Sequence, residues 1–119
     1  MYMRLKDGKR KVLTLSYDDG PIQEPRFIEV LDRYGLKSTF NLNAGVYIPG
    51  NEKLFYERMT LDEAKKLYIG SGHEVAAHTL MHTSLDKLQS DEVVNEIMED
   101  RKILEREFQV PVKGMAYPF

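Results

Sequence analysis

Residues 13–21 read LTLSYDDGP, so two carboxylates, Asp18 and Asp19, stand side by side at the end of an apolar run and are followed at once by Gly20 and Pro21. Asp-Gly after an alternating strand is a strong turn signal, and Pro then keeps the chain from re-entering a ladder. A turn needs only one of these acids. The second repels the first, and neighbours on a strand point to opposite faces, so the pair is suited to two separate tasks. Residues 78–82, HTLMH, supply two imidazoles four positions apart, His78 and His82. One carboxylate with two imidazoles suits Zn²⁺ or a similar divalent ion, and three protein ligands leave positions open for water and substrate. Strand-end histidines can also be satisfied by backbone groups alone, so the pair gains chemical meaning only if the aspartates lie beside it.

The elements that flank these residues bring them to one place. KVLTLSYDD is an alternating strand, and EPRFIEVLDRYG spaces Phe27, Ile28, Leu31 and Tyr34 for a helix that stops at Gly35. KSTFNLNAG is a second strand. TLDEAKKLYIGSG is a second helix, with a Thr60 cap and Glu63 completing a capping box. HEVAAHT is a third strand, and SDEVVNEIMEDRKILEREF is a long helix with Val93, Val94, Ile97, Met98, Ile103, Leu104 and Phe108 as its buried stripe. VKGMAYPF begins a fourth strand. Strands alternating with helices imply parallel pairing through right-handed crossovers, so the class is α/β. Chemistry in such sheets gathers at the carboxyl ends of the strands, and both the DD pair and the HTLMH stretch fall there. His73 opens its strand at the opposite rim and reads as a structural hydrogen-bonding residue, with Glu74 a solvated or capping carboxylate. The one long connection, GVYIPGNEKLFYERM, reads as a functional loop or a surface excursion.

Composition narrows the partners. The chain has 119 residues, 42% of them apolar, which suits one globular domain. A formal charge of -2 and a pI near 5.9 give no basic field for nucleic acid or an anionic membrane. No window has the apolar length of a membrane span, and the first residues lack the pattern of a signal peptide. The chain has no cysteine, so a metal must be held by histidine, carboxylate or water. The compartment stays open: cytoplasmic, or part of a secreted or cell-envelope protein.

LTLSYDDGP resembles the first signature of the carbohydrate esterase 4, or NodB-homology, polysaccharide deacetylases. GHEVAAHTLMH resembles their second signature and GMAYPF their third, in the same order along nearly the whole chain. The resemblance implies a distorted parallel (β/α) barrel, here its first four strands and three helices, that removes acetyl groups from N-acetylated sugars with a divalent metal. Zn²⁺ is the expected ion, with Co²⁺, Ni²⁺ or Mn²⁺ as alternatives, and an acetylated polysaccharide or oligosaccharide is the expected substrate. Carried over by residue, it assigns Asp19, His78 and His82 to the metal and Asp18 to the general base. The Phe119 N–H falls at the oxyanion donor, and Tyr117 and Pro118 line the substrate groove.

Two departures accompany the resemblance. Many members carry an arginine in the third signature that orients the base, where this chain has Ala116, and Arg26 in the first helix is a solvated residue or a substitute. The later signatures, including the histidine that protonates the leaving amine, are not matched within the 119 residues. Residues 1–119 are therefore expected to form one partial deacetylase domain, its N-terminal half, continued in a longer parent or completed by a second chain. Open sheet edges make self-association an expectation. The competing reading is a non-catalytic module that binds metal or glycan or acts through assembly.

Overall fold

The structure, a computed structural model, describes residues 5–51 and 57–119. Three parallel strands, β1 (Ser16–Asp18), β2 (Thr39–Leu42) and β3 (Glu74–Ala77), form a sheet in the order β1-β2-β3. Their connections carry helices α1 (Glu24–Arg33) and α2 (Leu61–Tyr68), and α3 (Ser90–Phe108) follows β3. The register pairs Asp18 with Asn41 and Leu42 with Ala77, which aligns the carboxyl ends of all three strands on one rim. The alternation read in the sequence is thus an α/β sheet of the expected parallel kind.

Local chemistry explains where the elements start and stop. Thr60 Oγ1 accepts the Glu63 N–H at 3.3 Å while Glu63 Oε2 accepts the Thr60 N–H at 2.8 Å, so the capping box forms at the head of α2. Pro25 sits in the first turn of α1, where its missing N–H costs nothing. Phe40, Leu42, Leu104 and Phe108 are almost wholly buried, each worth about 1.5–3 kcal/mol of apolar burial. Tyr68 packs between Phe40 and Phe108, with ring centroids 5.3 and 5.9 Å away.

Four elements differ from the sequence reading. The first strand is expected over residues 11–19 but pairs only over Ser16–Asp18. Its neighbour β2 begins at Thr39, opposite Ser16, so earlier residues have no ladder to join, and Val12 and Leu13 are exposed. The fourth strand is reduced to a single parallel bridge between Ala77 and Met115. There the Ala116 carbonyl accepts from the His78 ring instead of extending a ladder, and Pro118 has no N–H to offer. On α3 the buried line is Asp100, Leu104 and Phe108, while Val94 and Met98 are exposed. On α1, Ile28 and Leu31 are buried, whereas Tyr34 lies at the cap and is exposed.

The long connection contributes a turn at Ala44–Tyr47 and a short return at 57–59. Its residues 52–56, and the chain's first four residues, fall outside the described part.

Candidate metal centre

The aspartate side of the site is set by the end of β1. Asp18 is the last strand residue, and its Oδ1 accepts a 2.7 Å hydrogen bond from Asn41 Nδ2 on the neighbouring strand. Asn41 is buried and also donates to Ser16 Oγ at 2.8 Å, so its amide is fixed before it reaches the carboxylate. Asp19 then leaves the strand direction, with φ 82°, while its N–H still bonds the Asn41 carbonyl at 2.8 Å. Asp18 and Asp19 therefore take different neighbours, as the adjacent pair in the sequence suggested.

The histidine side is held by three surrounding groups. Asn43 Nδ2 donates to the His78 carbonyl at 2.6 Å and the Thr79 carbonyl at 2.9 Å. The Gly45 N–H bonds the Leu80 carbonyl at 2.8 Å, and a Cβ at Gly45 would meet that oxygen at 2.2 Å, so no other residue fits. From α3, Asp100 accepts the Ala44 N–H at 2.6 Å and the His78 N–H at 2.8 Å, and Glu96 Oε2 accepts the Met81 N–H at 2.9 Å. Burial drives the Asp100 carboxyl up to about 7, against the pull of the backbone N–H donors of Ala44, His78 and Thr79. Thr79 and His82 both have positive φ, 66° and 56°, and Thr79 Oγ1 takes the Thr83 N–H at 3.2 Å. The loop consequently doubles back and sets the His78 and His82 rings 5.0 Å apart. Non-glycine residues rarely adopt this backbone form, and such strain concentrates where a site requires it.

Asp19, His78 and His82 meet with one ligand atom each, all within 4.8 Å of one another. Asp19 Oδ1 lies 3.4 Å from His82 Nε2 and 3.8 Å from His78 Nε2. A tetrahedral ion with bonds of about 2.0–2.1 Å separates its ligand atoms by roughly 3.4 Å, and both aspartate–histidine spacings lie near that value. Protonation fits too. His78 Nδ1 lies 3.0 Å from the Ala116 carbonyl, an acceptor only, so the proton sits on Nδ1 and Nε2 presents its lone pair. Burial, then the neighbouring His78 and Arg58, lowers the His82 pKa and favours its neutral, ligating form. Asp19 Oδ1 is itself buried with no hydrogen-bond donor among the described residues. An acceptor without a donor beside the free lone pair of His78 is a donor set suited to a cation.

The remaining residues named by the sequence are placed as follows. Asp18 adjoins the centre, with its second oxygen 4.0 Å from His78 Nε2. Tyr117 and Phe119 are exposed, Pro118 is buried, and the Phe119 ring lies 4.8 Å from the His82 ring. Arg26 is exposed on α1 and forms no ion pair with Asp18 among the described residues. His73, at the far rim, accepts the Ser38 N–H through Nδ1 at 3.2 Å, and Glu74 accepts from Thr39 Oγ1 at 2.6 Å. Sequence reasoning missed Asn41, Asp100 and Arg58, the last of which pairs with Asp19 Oδ2 at 2.9 Å. Only Asn41 carried a signal, being a polar residue inside an otherwise apolar buried strand.

Residues 5–119 match the model of the polysaccharide deacetylase family. The chain belongs to that family. Chitin deacetylase 1 of Cryptococcus neoformans var. grubii is 32% identical over 111 residues, covering 92% of this chain and 21% of the relative. A peptidoglycan-N-acetylglucosamine deacetylase of Bacillus cereus is 30% identical over 96 residues, covering 79% of this chain and 31% of the relative. The Streptococcus pyogenes deacetylase PplD, solved in complex with acetate, superposes with a TM-score of 0.78 at 24% identity, over 92% of this chain and 46% of that one. The fold of this polysaccharide deacetylase chain is accordingly part of the deacetylase (β/α) barrel. It spans a fifth to a third of the curated relatives' lengths. Members of the family are generally metal-dependent, in keeping with the donor set at Asp19, His78 and His82.

Proposed function

We propose that this chain supplies the metal-binding and base-bearing part of a site that hydrolyses N-acetyl groups on a glucosamine-type polysaccharide such as chitin or peptidoglycan. The observation that carries the reading is Asp19 Oδ1, without a donor among the described residues, facing two imidazole nitrogens at 3.4 and 3.8 Å. The relatives named for chitin and peptidoglycan deacetylation support the substrate class. Asp19, His78 and His82 hold the ion, and the imidazole-rich donor set favours Zn²⁺, Co²⁺ or Ni²⁺ over Mn²⁺, with Zn²⁺ the expected resident metal.

When bound, a divalent ion acidifies water and polarises the acetyl carbonyl. Asp18 receives the proton of the attacking water, with the oxygen that Asn41 leaves free turned toward the metal ligands. Asn41 does what the third-signature arginine does elsewhere in the resemblance: it fixes the base, here through a neutral amide, while Ala116 gives its carbonyl to His78. The Phe119 N–H serves the developing oxyanion, and Tyr117 and Pro118 flank the sugar. Neither His78 nor His82 is free to protonate the leaving amine, and His73 lies at the other rim.

The test is acetate release from chitooligosaccharides and peptidoglycan fragments by the Zn²⁺-loaded protein and its aspartate variants. Asp18→Asn should lower turnover by about 10²- to 10⁴-fold and leave Zn²⁺ affinity nearly unchanged, whereas Asp19→Asn should weaken Zn²⁺ itself. Full turnover in Asp18→Asn at saturating Zn²⁺, or an equal loss of affinity in both variants, would overturn the assignment.

A further inference from the structure

The return of the long connection brings a cation to the metal-facing aspartate. The Ile22 N–H bonds the Glu57 carbonyl and the Met59 N–H bonds the Gly20 carbonyl, both at 3.0 Å, so residues 57–59 are stitched across the turn that follows the paired aspartates. Pro21 and Arg58 face each other in this antiparallel bridge. The stitch directs the Arg58 guanidinium onto Asp19 Oδ2 at 2.9 Å, with only 20% and 29% of the two side chains exposed. The two oxygens of Asp19 thus have unlike surroundings: Oδ2 is held by the Arg58 Nη2, and Oδ1 has no donor among the described residues and faces His78 and His82.

We propose that Arg58 is a positioning residue that makes Asp19 a one-oxygen ligand and thereby selects a four-coordinate ion. The proposal rests on the reading of Asp19, His78 and His82 as a metal centre. A free carboxylate ligates through one oxygen or two, and the second mode suits larger ions with more ligands. With Oδ2 engaged by the guanidinium, that mode is disfavoured, and the remaining oxygen and two nitrogens are three ligand atoms that leave further positions open. The positive charge of Arg58 also repels a bound cation. That repulsion acts equally on every ion of charge +2, so it cancels when two divalent ions are compared and leaves the geometric effect alone.

The experiment measures Zn²⁺ and Mn²⁺ affinities by calorimetry, and the visible absorption of bound Co²⁺, in the full chain and in Arg58→Ala and Arg58→Lys. Loss of partners that orient metal ligands changes affinity by about 10- to 100-fold. Arg58→Ala should accordingly lower the Zn²⁺:Mn²⁺ affinity ratio by about tenfold or more. Its Co²⁺ spectrum should move from the intense absorption of four-coordination toward the weak absorption of higher coordination. Arg58→Lys, which keeps a donor on Oδ2, should restore both in large part. An unchanged ratio and spectrum in an Arg58→Ala protein that still binds metal would overturn the role of Arg58. Absence of Zn²⁺ binding in the unaltered chain would instead overturn the metal centre. Melting of the metal-free proteins checks the fold; if Arg58→Ala melts far below the unaltered chain, Arg58→Gln, with bulk closer to arginine, takes its place in the same comparison.

Discussion

The molecule contains two aspartate–histidine pairs with the same separation, one on each rim of the sheet. His82 Nε2 lies 3.4 Å from Asp19 Oδ1, and His73 Nε2 lies 3.4 Å from Asp32 Oδ1. The difference is where the protons sit. His73 accepts the Ser38 N–H at Nδ1, so its proton is on Nε2 and faces the carboxylate. Asp32 is also held by Lys37 at 2.8 Å, which together with His73 keeps its carboxyl below the usual range. At the other rim His78 turns its proton to the Ala116 carbonyl, and Asp19 Oδ1 has no donor among the described residues. At the far rim a ring nitrogen faces its carboxylate, whereas at the other rim Asp19 Oδ1 faces the imidazoles with no donor among the described residues. Proximity of histidine to aspartate therefore says little until the second nitrogen's partner is known.

The largest effect that breaks this symmetry is ligand removal. His78→Ala should lower Zn²⁺ affinity by at least about 100-fold, beyond the loss of a merely supporting partner, while His73→Ala should leave it unchanged. The second substitution should instead cost stability, about 1–3 kcal/mol for the buried Ser38 N–H left without an acceptor. Zinc titration calorimetry and urea unfolding on both variants read the two quantities, and loss of Zn²⁺ affinity in His73→Ala would end the distinction.

Next in size is Asp100→Ala. It deprives the buried Ala44 and His78 N–H groups of their carboxylate acceptor. His78 N–H retains the Leu42 carbonyl at 3.1 Å, so the expected destabilisation is roughly 2–4 kcal/mol rather than two full penalties. Because the same bonds hold the histidine loop, Zn²⁺ affinity should fall as well, by about 10- to 100-fold. A stability loss without a metal effect would show that Asn43, Gly45 and Glu96 hold the loop without Asp100.

The contrast also explains what the sequence could disclose. The paired aspartates and the HTLMH stretch are local patterns at strand ends, and strand–helix alternation is enough to put strand ends on one rim. Capping at Thr60 is equally local. Asp100 escaped because an acid on an amphipathic helix reads as solvent-facing, and only the packed structure reveals that the line through Leu104 and Phe108 continues under the histidine loop. Arg58 escaped because its contact with Asp19 depends on a loop return fixed by backbone bonds that leave no residue pattern. The fourth strand was overread because its apolar content is present while its ladder is diverted to His78.

A smaller effect concerns Glu24, which lies buried at the head of α1 and accepts a hydrogen bond from the Tyr68 hydroxyl. Burial first, with a contribution from nearby Asp18 and against the Tyr68 bond, raises its pKa from 4.5 to about 7. A raised folded-state value favours the protonated form, so the stabilisation is complete below about pH 4.5 and is lost as pH climbs to about 7. The slope for one such group is at most about 1.4 kcal/mol per pH unit. Glu24→Gln, neutral throughout, should flatten that part of the profile in urea unfolding of the metal-free protein. An unaltered slope would locate the titration elsewhere.

The smallest effect is expected where the resemblance between the two pairs is closest, at Asp32. Its side chain is about half exposed, and its ion pair with Lys37 spans solvent-accessible atoms, where screening and side-chain entropy leave little net gain. The buried Ser38–His73 hydrogen bond does not involve Asp32, so His73 keeps its place and its tautomer when the carboxylate is neutralised. Asp32→Asn should therefore melt closer to the unaltered chain than His73→Ala does and should bind Zn²⁺ with unchanged affinity. The matching substitution Asp19→Asn, chemically identical and at the same distance from a histidine, should weaken Zn²⁺ strongly, because the cation there depends on the carboxylate charge. If Asp32→Asn also changed Zn²⁺ binding, the far rim would be coupled to the metal centre through the sheet, and the separation of the two rims would have to be abandoned.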